Sequence, residues 1–123
     1  MYKVLVVEDE KDMAEALEDK LKDEGFEVLR AEDYDEAMKV AFAEKPDGIL
    51  LDLILPGEKG GLNFLEDIRK DEWGKGVPIL ILTNVDNIQA VSTAVEHESS
   101  DYIVKSEATL DEVIFKLKER MHI

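Results

Sequence analysis

The sequence predicts an α/β protein: an open, doubly wound, five-stranded parallel sheet of (βα)5 pattern. Two observations carry this expectation. Short apolar runs alternate with amphipathic stretches five times along the 123 residues, the pattern of parallel strands joined by crossover helices. The runs are continuously apolar, as strands covered on both faces require. Crossovers of this kind are right-handed almost without exception. Five strands are too few for an eight-stranded barrel, so the sheet is expected to stay open.

The first strand is Lys3-Val4-Leu5-Val6-Val7. A helix follows from Glu10 to Asp23, with Met13, Ala14, Ala16, Leu17 and Leu21 as its apolar stripe and Gly25 as its stop signal. The second strand is Glu27 to Ala31. Asp33 and Glu36 have capping-box spacing for a helix through Lys45, which Pro46 ends. The third strand is Gly48 to Asp52. A loop with Pro56, Gly57, Gly60 and Gly61 leads into a helix from Leu62 to Asp71, and the adjacent glycines predict a close turn. Pro78 to Thr83 is the fourth strand. Asp86 and Gln89 suit the start of a fourth helix to Glu98, with Ile88, Val91, Ala94 and Val95 as its apolar side. Tyr102-Ile103-Val104 is the fifth strand. Thr109 with Glu112 is a second capping box, opening a last helix whose inner face is Val113, Ile114, Leu117 and Met121. With no repeat, linker or low-complexity segment, one domain over residues 1–123 is expected, with no output domain after Met121.

Composition narrows the function. The formal charge is −15, from 30 acids against 15 bases, which argues against direct binding to nucleic acid or to anionic lipid. Most of the acids lie at helical spacing and read as a solvated outer surface. Cysteine is absent, so disulfides and thiolate metal sites are excluded, in keeping with a cytoplasmic setting. No apolar run approaches the roughly 20 residues of a membrane helix.

In an open parallel sheet, sites form where strands end at their carboxyl edge. The first strand ends in Glu8-Asp9-Glu10, the third in Asp52, the fourth in Thr83-Asn84 and the fifth at Lys105-Ser106. Glu8, Asp9 and Asp52 should lie close together, and like charges at short range oppose mutual ionisation. A hard divalent cation relieves that repulsion, and Mg²⁺ favours such oxygen ligands. Glu10 and Asp12 read instead as an acidic helix start, favoured by the helix dipole. Lys105 is a compact charge suited to a carboxylate or a phosphoryl oxygen, and Thr83 offers a hydroxyl donor. His97, His122 and Trp73 read as surface and loop-packing residues.

On the ordered set of Glu8-Asp9, Asp52 with Pro56-Gly57, Thr83, Tyr102 and Lys105, the chain resembles a receiver domain of the two-component response regulator family over essentially its whole length. The resemblance implies a flavodoxin-like sheet of strand order 2-1-3-4-5. It implies that Asp52 is phosphorylated by the phosphohistidine of a sensor histidine kinase or phosphotransfer protein. Asp9, Asp52 and the backbone carbonyl of Ile54 would bind Mg²⁺, with Glu8 acting through water. Thr83, Lys105 and the backbone of Asn84 would contact the phosphoryl group, and Tyr102 would move inward as an aromatic switch when Thr83 is drawn to it. A downstream effector would read the face built by the fourth helix, fifth strand and last helix, with a monomer and a phosphorylation-dependent dimer both open. The chain would then be a signalling phosphoacceptor that catalyses its own phosphorylation and slow dephosphorylation, and not a conventional enzyme.

Two residues depart from the family pattern. Ser106 follows the lysine where proline is usual, which predicts a trans bond and a freer loop. Asn84 stands where a small residue is usual, beside the phosphoryl position. Three rival functions fit these residues less well. An FMN carrier needs a Gly/Ser/Thr-rich loop after the first strand, and Glu8-Asp9-Glu10 is anionic there. An aspartyl phosphatase usually has a second acid two residues after the nucleophile, and Ile54 occupies that place. A degenerate receiver that only binds partners does not need the full set of acids, Thr83 and Lys105.

Overall fold

Helices lie on both faces of a single parallel sheet, because successive residues of each strand point to opposite sides. In the computed structural model, which describes residues 1–84, 92 and 101–123, the strands are β1 (Lys3–Val7), β2 (Glu27–Ala31), β3 (Gly48–Leu51), β4 (Ile79–Thr83) and β5 (Asp101–Val104). They pair in parallel in the order β2-β1-β3-β4-β5. The described helices are α1 (Lys11–Asp23), α2 (Tyr34–Glu44), α3 (Gly61–Arg69) and the last helix, α4 (Leu110–Met121). The helix expected between Asp86 and Glu98, with its Asp86 and Gln89 cap, lies outside the described residues, as does His97.

Val4, Val6, Leu50, Leu80 and Leu82 face one side, where Leu17 and Leu21 of α1 and Val113, Ile114 and Leu117 of α4 cover them. Leu5, Val7, Ile49, Leu51, Ile79 and Ile81 face the other, covered by Ala37 and Ala41 of α2 and by Phe64, Leu65 and Ile68 of α3. Continuous apolar runs are needed because both pleat faces are dry. Each fully buried side chain of this kind contributes about 1.5–3 kcal/mol. Trp73 packs against the second layer and meets Phe42 edge-on at 6.1 Å, so it is the loop-packing residue expected.

Local signals set the helix ends. The Asp33 carboxylate accepts from the Glu36 amide at 2.9 Å, and the Thr109 hydroxyl accepts from the Glu112 amide at 3.2 Å, so both expected caps form. Gly25 turns the chain after α1 at φ +90, a conformation that favours glycine. The α3 start was not fully legible: the Gly60 amide donates to the Asn63 side chain at 2.9 Å, and α3 begins at Gly61. Lys105–Glu107 forms a short 3₁₀ turn, and no cis peptide occurs among the described residues.

Candidate functional site

Strand register brings the site together. Val7 stands opposite Leu51, and the Asp52 amide donates to the Val7 carbonyl at 3.0 Å. Glu8 and Asp52 therefore leave adjacent strands side by side. Thr83 ends β4 in register with Val104 of β5, which puts Lys105 one step beyond. Asp9, Glu10, Asp52, Ile54, Thr83, Asn84 and Lys105 line one open cavity of about 260 Å³.

Four polar side chains are nearly sealed from solvent here: Glu8 is 3% exposed, Asp52 4%, Thr83 2% and Lys105 9%. Such groups stay buried only when paired. The Lys105 ammonium meets Glu8 Oε2 at 2.7 Å, Asp52 Oδ2 at 2.8 Å and Glu10 Oε1 at 3.3 Å. The other oxygen of Asp52 accepts from the Ile54 amide at 3.0 Å. The other oxygen of Glu8 accepts from the Glu10 amide at 3.1 Å. Both buried carboxylates are thereby oriented at both oxygens.

Three carboxylates share one ammonium, so negative charge is in excess at the strand ends. Burial pushes the Glu8 carboxyl above its ordinary range; the Lys105 hydrogen bond opposes this shift, and the neighbouring Asp52 charge reinforces it. Burial opposes the Lys105 charge, yet hydrogen bonds to Asp52 and Glu8 outweigh it and hold the ammonium well above the usual lysine range. Lys105 is therefore cationic throughout the physiological range.

The donor set suits a hard cation. Glu8, Glu10 and Asp52 each offer an oxygen, all within 4.8 Å of one another. An all-oxygen, carboxylate-rich cluster favours Mg²⁺ or Ca²⁺ over soft metals. Asp9 is exposed and lines the same cavity. Ile54 is 70% exposed beside it, and Tyr102 on β5 is 40% exposed.

Glu10 is the residue that sequence reasoning missed. It holds the N-cap position of α1 but makes no side-chain cap hydrogen bond, and its carboxylate instead joins Lys105. The contact spans 95 positions, so only the fold brings the two together. The run Glu8-Asp9-Glu10 was the available signal: one strand-end residue points into the sheet edge, and two more turn over the rim.

A family profile described as the response regulator receiver domain matches residues 4–117. Three solved structures illustrate the likeness. The BeF3-activated N-terminal receiver domain of Klebsiella pneumoniae RstA is 30% identical at a TM-score of 0.87, covering 98% of this chain and 99% of that one. The receiver domain of the Francisella response regulator 1452 is 26% identical at 0.87, covering 99% of this chain and 98% of that one. NtrX from Brucella abortus is 28% identical at 0.88; the match covers 98% of this chain but 27% of that longer one.

Proposed function

The chain belongs to the response regulator receiver family, and from that premise we propose that it is the phosphoacceptor of a two-component phosphorelay. Asp52 takes a phosphoryl group from the phosphohistidine of a sensor histidine kinase or phosphotransfer protein. The observation that carries this reading is the Asp52 carboxylate itself, almost buried, with one oxygen set by the Ile54 amide and the other by Lys105.

Phosphoryl transfer needs positioning and charge neutralisation more than covalent machinery. An Asp52 oxygen attacks phosphorus in line. The new O–P bond forms as the P–N bond to imidazole breaks, and the freed ring takes a proton from water. Lys105, which stands 2.8 Å from the acceptor, exchanges Asp52 for a phosphoryl oxygen. The Thr83 hydroxyl and the Asn84 backbone amide donate to the remaining oxygens. Asp9, Asp52 and the Ile54 carbonyl, with Glu8 acting through water, would hold Mg²⁺, which when bound would supply further neutralisation of the phosphoryl charge. The product is an acyl phosphate that water hydrolyses.

The signal then passes outward. As Thr83 is drawn to the phosphoryl group, Tyr102 turns inward from its exposed position, and a cytoplasmic effector reads the face that includes β5 and α4. Incubation with phosphoramidate, a small P–N donor, and Mg²⁺ tests the reading by ³¹P NMR. One acyl-phosphate resonance is expected for the native chain and none for Asp52→Asn. An equal resonance from the Asn variant would overturn the assignment.

A further inference from the structure

The loop that follows the acceptor stands off α2 across a cavity of about 340 Å³ between residues 33–35 and 56–59. One side chain bridges it. Tyr34, the first residue of α2, is half-buried and packs against the core layer that also holds Leu53 and Leu55 of the loop. Its hydroxyl donates to the Asp67 carboxylate on α3. The Lys59 ammonium lies 4.8 Å over its ring, a cation–π geometry. Three elements thus meet on one aromatic side chain: the start of α2, the tip of the loop and the last turn of α3.

We infer that Tyr34 is a positioning residue for the Asp52 site, its ring and hydroxyl clamping the 53–60 loop so that the backbone at Ile54 is fixed beside the acceptor. This rests on the phosphoacceptor reading above. The loop is short and carries the acceptor at one end: the Ile54 amide holds Asp52 Oδ1 at 3.0 Å, and the Gly61 amide returns to the Leu53 carbonyl at 3.0 Å. Between these anchors, Pro56, Gly57, Glu58 and Lys59 are exposed, and Gly57 has φ +97. A tip with so little burial is held by what it touches outside itself, and Lys59 on Tyr34 is such a contact. The Asp67 hydrogen bond raises the phenol pKa to about 12, so the hydroxyl stays a donor at neutral pH.

The test uses the full chain with Tyr34→Leu, Tyr34→Phe and Lys59→Met. Three quantities are measured: the Mg²⁺ Kd by calorimetry, the phosphorylation rate with acetyl phosphate at sub-saturating Mg²⁺, and Ile54 amide exchange in metal-free buffer. Lys59 is exposed, so its variant keeps the fold. Loss of one exposed cation–π contact should weaken Mg²⁺ binding and slow phosphorylation by roughly two- to fivefold, and should speed Ile54 exchange. Tyr34→Phe keeps the ring and falls between Tyr34→Leu and the native chain. Combining Tyr34→Leu with Lys59→Met adds nothing to the Tyr34→Leu effect. Native Mg²⁺ constants and native Ile54 exchange in Tyr34→Leu and Lys59→Met would overturn the clamp. The two failures are distinguishable: a native chain that takes no phosphoryl group overturns the phosphoacceptor reading, whereas Mg²⁺ affinity and amide exchange judge the clamp in either case.

Discussion

Lys105→Met is expected to destabilise the metal-free protein by about 3 kcal/mol at pH 7, the cost of leaving buried carboxylates without their cation. Glu8 and Asp52 are almost fully buried, and Lys105 sits within 2.8 Å of both. The loss should depend on pH in a defined direction. Burial raises the Glu8 carboxyl in the folded state, while the Lys105 hydrogen bond lowers it; removing Lys105 leaves the upward shift opposed only by the Glu10 amide. A carboxyl raised on folding stabilises the fold below its unfolded pKa, and that contribution is lost as pH rises through the folded value. The variant should therefore be most stable in mild acid and weaken toward neutral pH. In the native chain the raised Lys105 contributes fully below the ordinary lysine range and loses its contribution only as pH climbs through the folded value, far above neutral. Mg²⁺ should restore the variant by mass action, by about 2.7 kcal/mol at a hundred times its Kd. Urea midpoints at pH 5 and 7, with EDTA and with Mg²⁺, check all of this. A variant as stable as the native chain at both pH values would show that the carboxylates are not held by Lys105.

Gly61→Ala is expected to remove phosphoryl acceptance as well as stability. A Cβ at position 61 would lie 2.1 Å from the Asp52 carbonyl oxygen and 2.6 Å from the Leu53 Cα. Both are backbone atoms, so the strand end carrying the acceptor must shift. Overpacking of this kind costs about 1–3 kcal/mol, and a displacement near 1 Å at a reacting group costs roughly a hundredfold in rate. Gly74→Ala is the matched control. Its Cβ would meet the Ile68 carbonyl oxygen at 1.9 Å, an equally severe clash, but in the turn between α3 and β4, away from the strand-end site. Gly74→Ala should unfold at similarly lowered urea and still phosphorylate at the native rate once folded. Equal phosphorylation rates in the two variants would show that Gly61 does not set the acceptor backbone.

Much of this architecture is legible in the sequence because burial leaves a periodic trace. Val4 through Val7 and Ile49 through Leu51 are continuously apolar since each pleat face is dry, and Asp33 and Thr109 announce helix starts three residues before Glu36 and Glu112. The strand-end residues Glu8, Asp52, Thr83 and Lys105 follow from the same logic, since the edge of a parallel sheet gathers whatever its strands end in. Contacts between distant residues with no periodic signature are what escaped. Glu10 reaches Lys105 across 95 positions and Tyr34 reaches Asp67 across 33. Arg69, read only as part of a helix, donates to the Gly74 and Val77 carbonyls at 2.6 and 2.7 Å and closes the turn before β4. Such pairs depend on register and helix rotation, which the apolar pattern fixes only to within a residue or two. The close turn expected at Gly60-Gly61 was visible as a pair of glycines, but the atom that makes Gly61 necessary, the Asp52 carbonyl, was not.

On the proposed function, Asp52 accepts one phosphoryl group in a Mg²⁺-dependent reaction. Intact-mass spectrometry after incubation with acetyl phosphate tests it most directly, on the native chain and on Asp52→Asn, each with Mg²⁺ and with EDTA. A single phosphoryl adduct is expected on the native chain with Mg²⁺, little or none with EDTA, and none on Asp52→Asn in either buffer. An adduct of equal yield on Asp52→Asn, or one on the native chain that EDTA leaves undiminished, would contradict it.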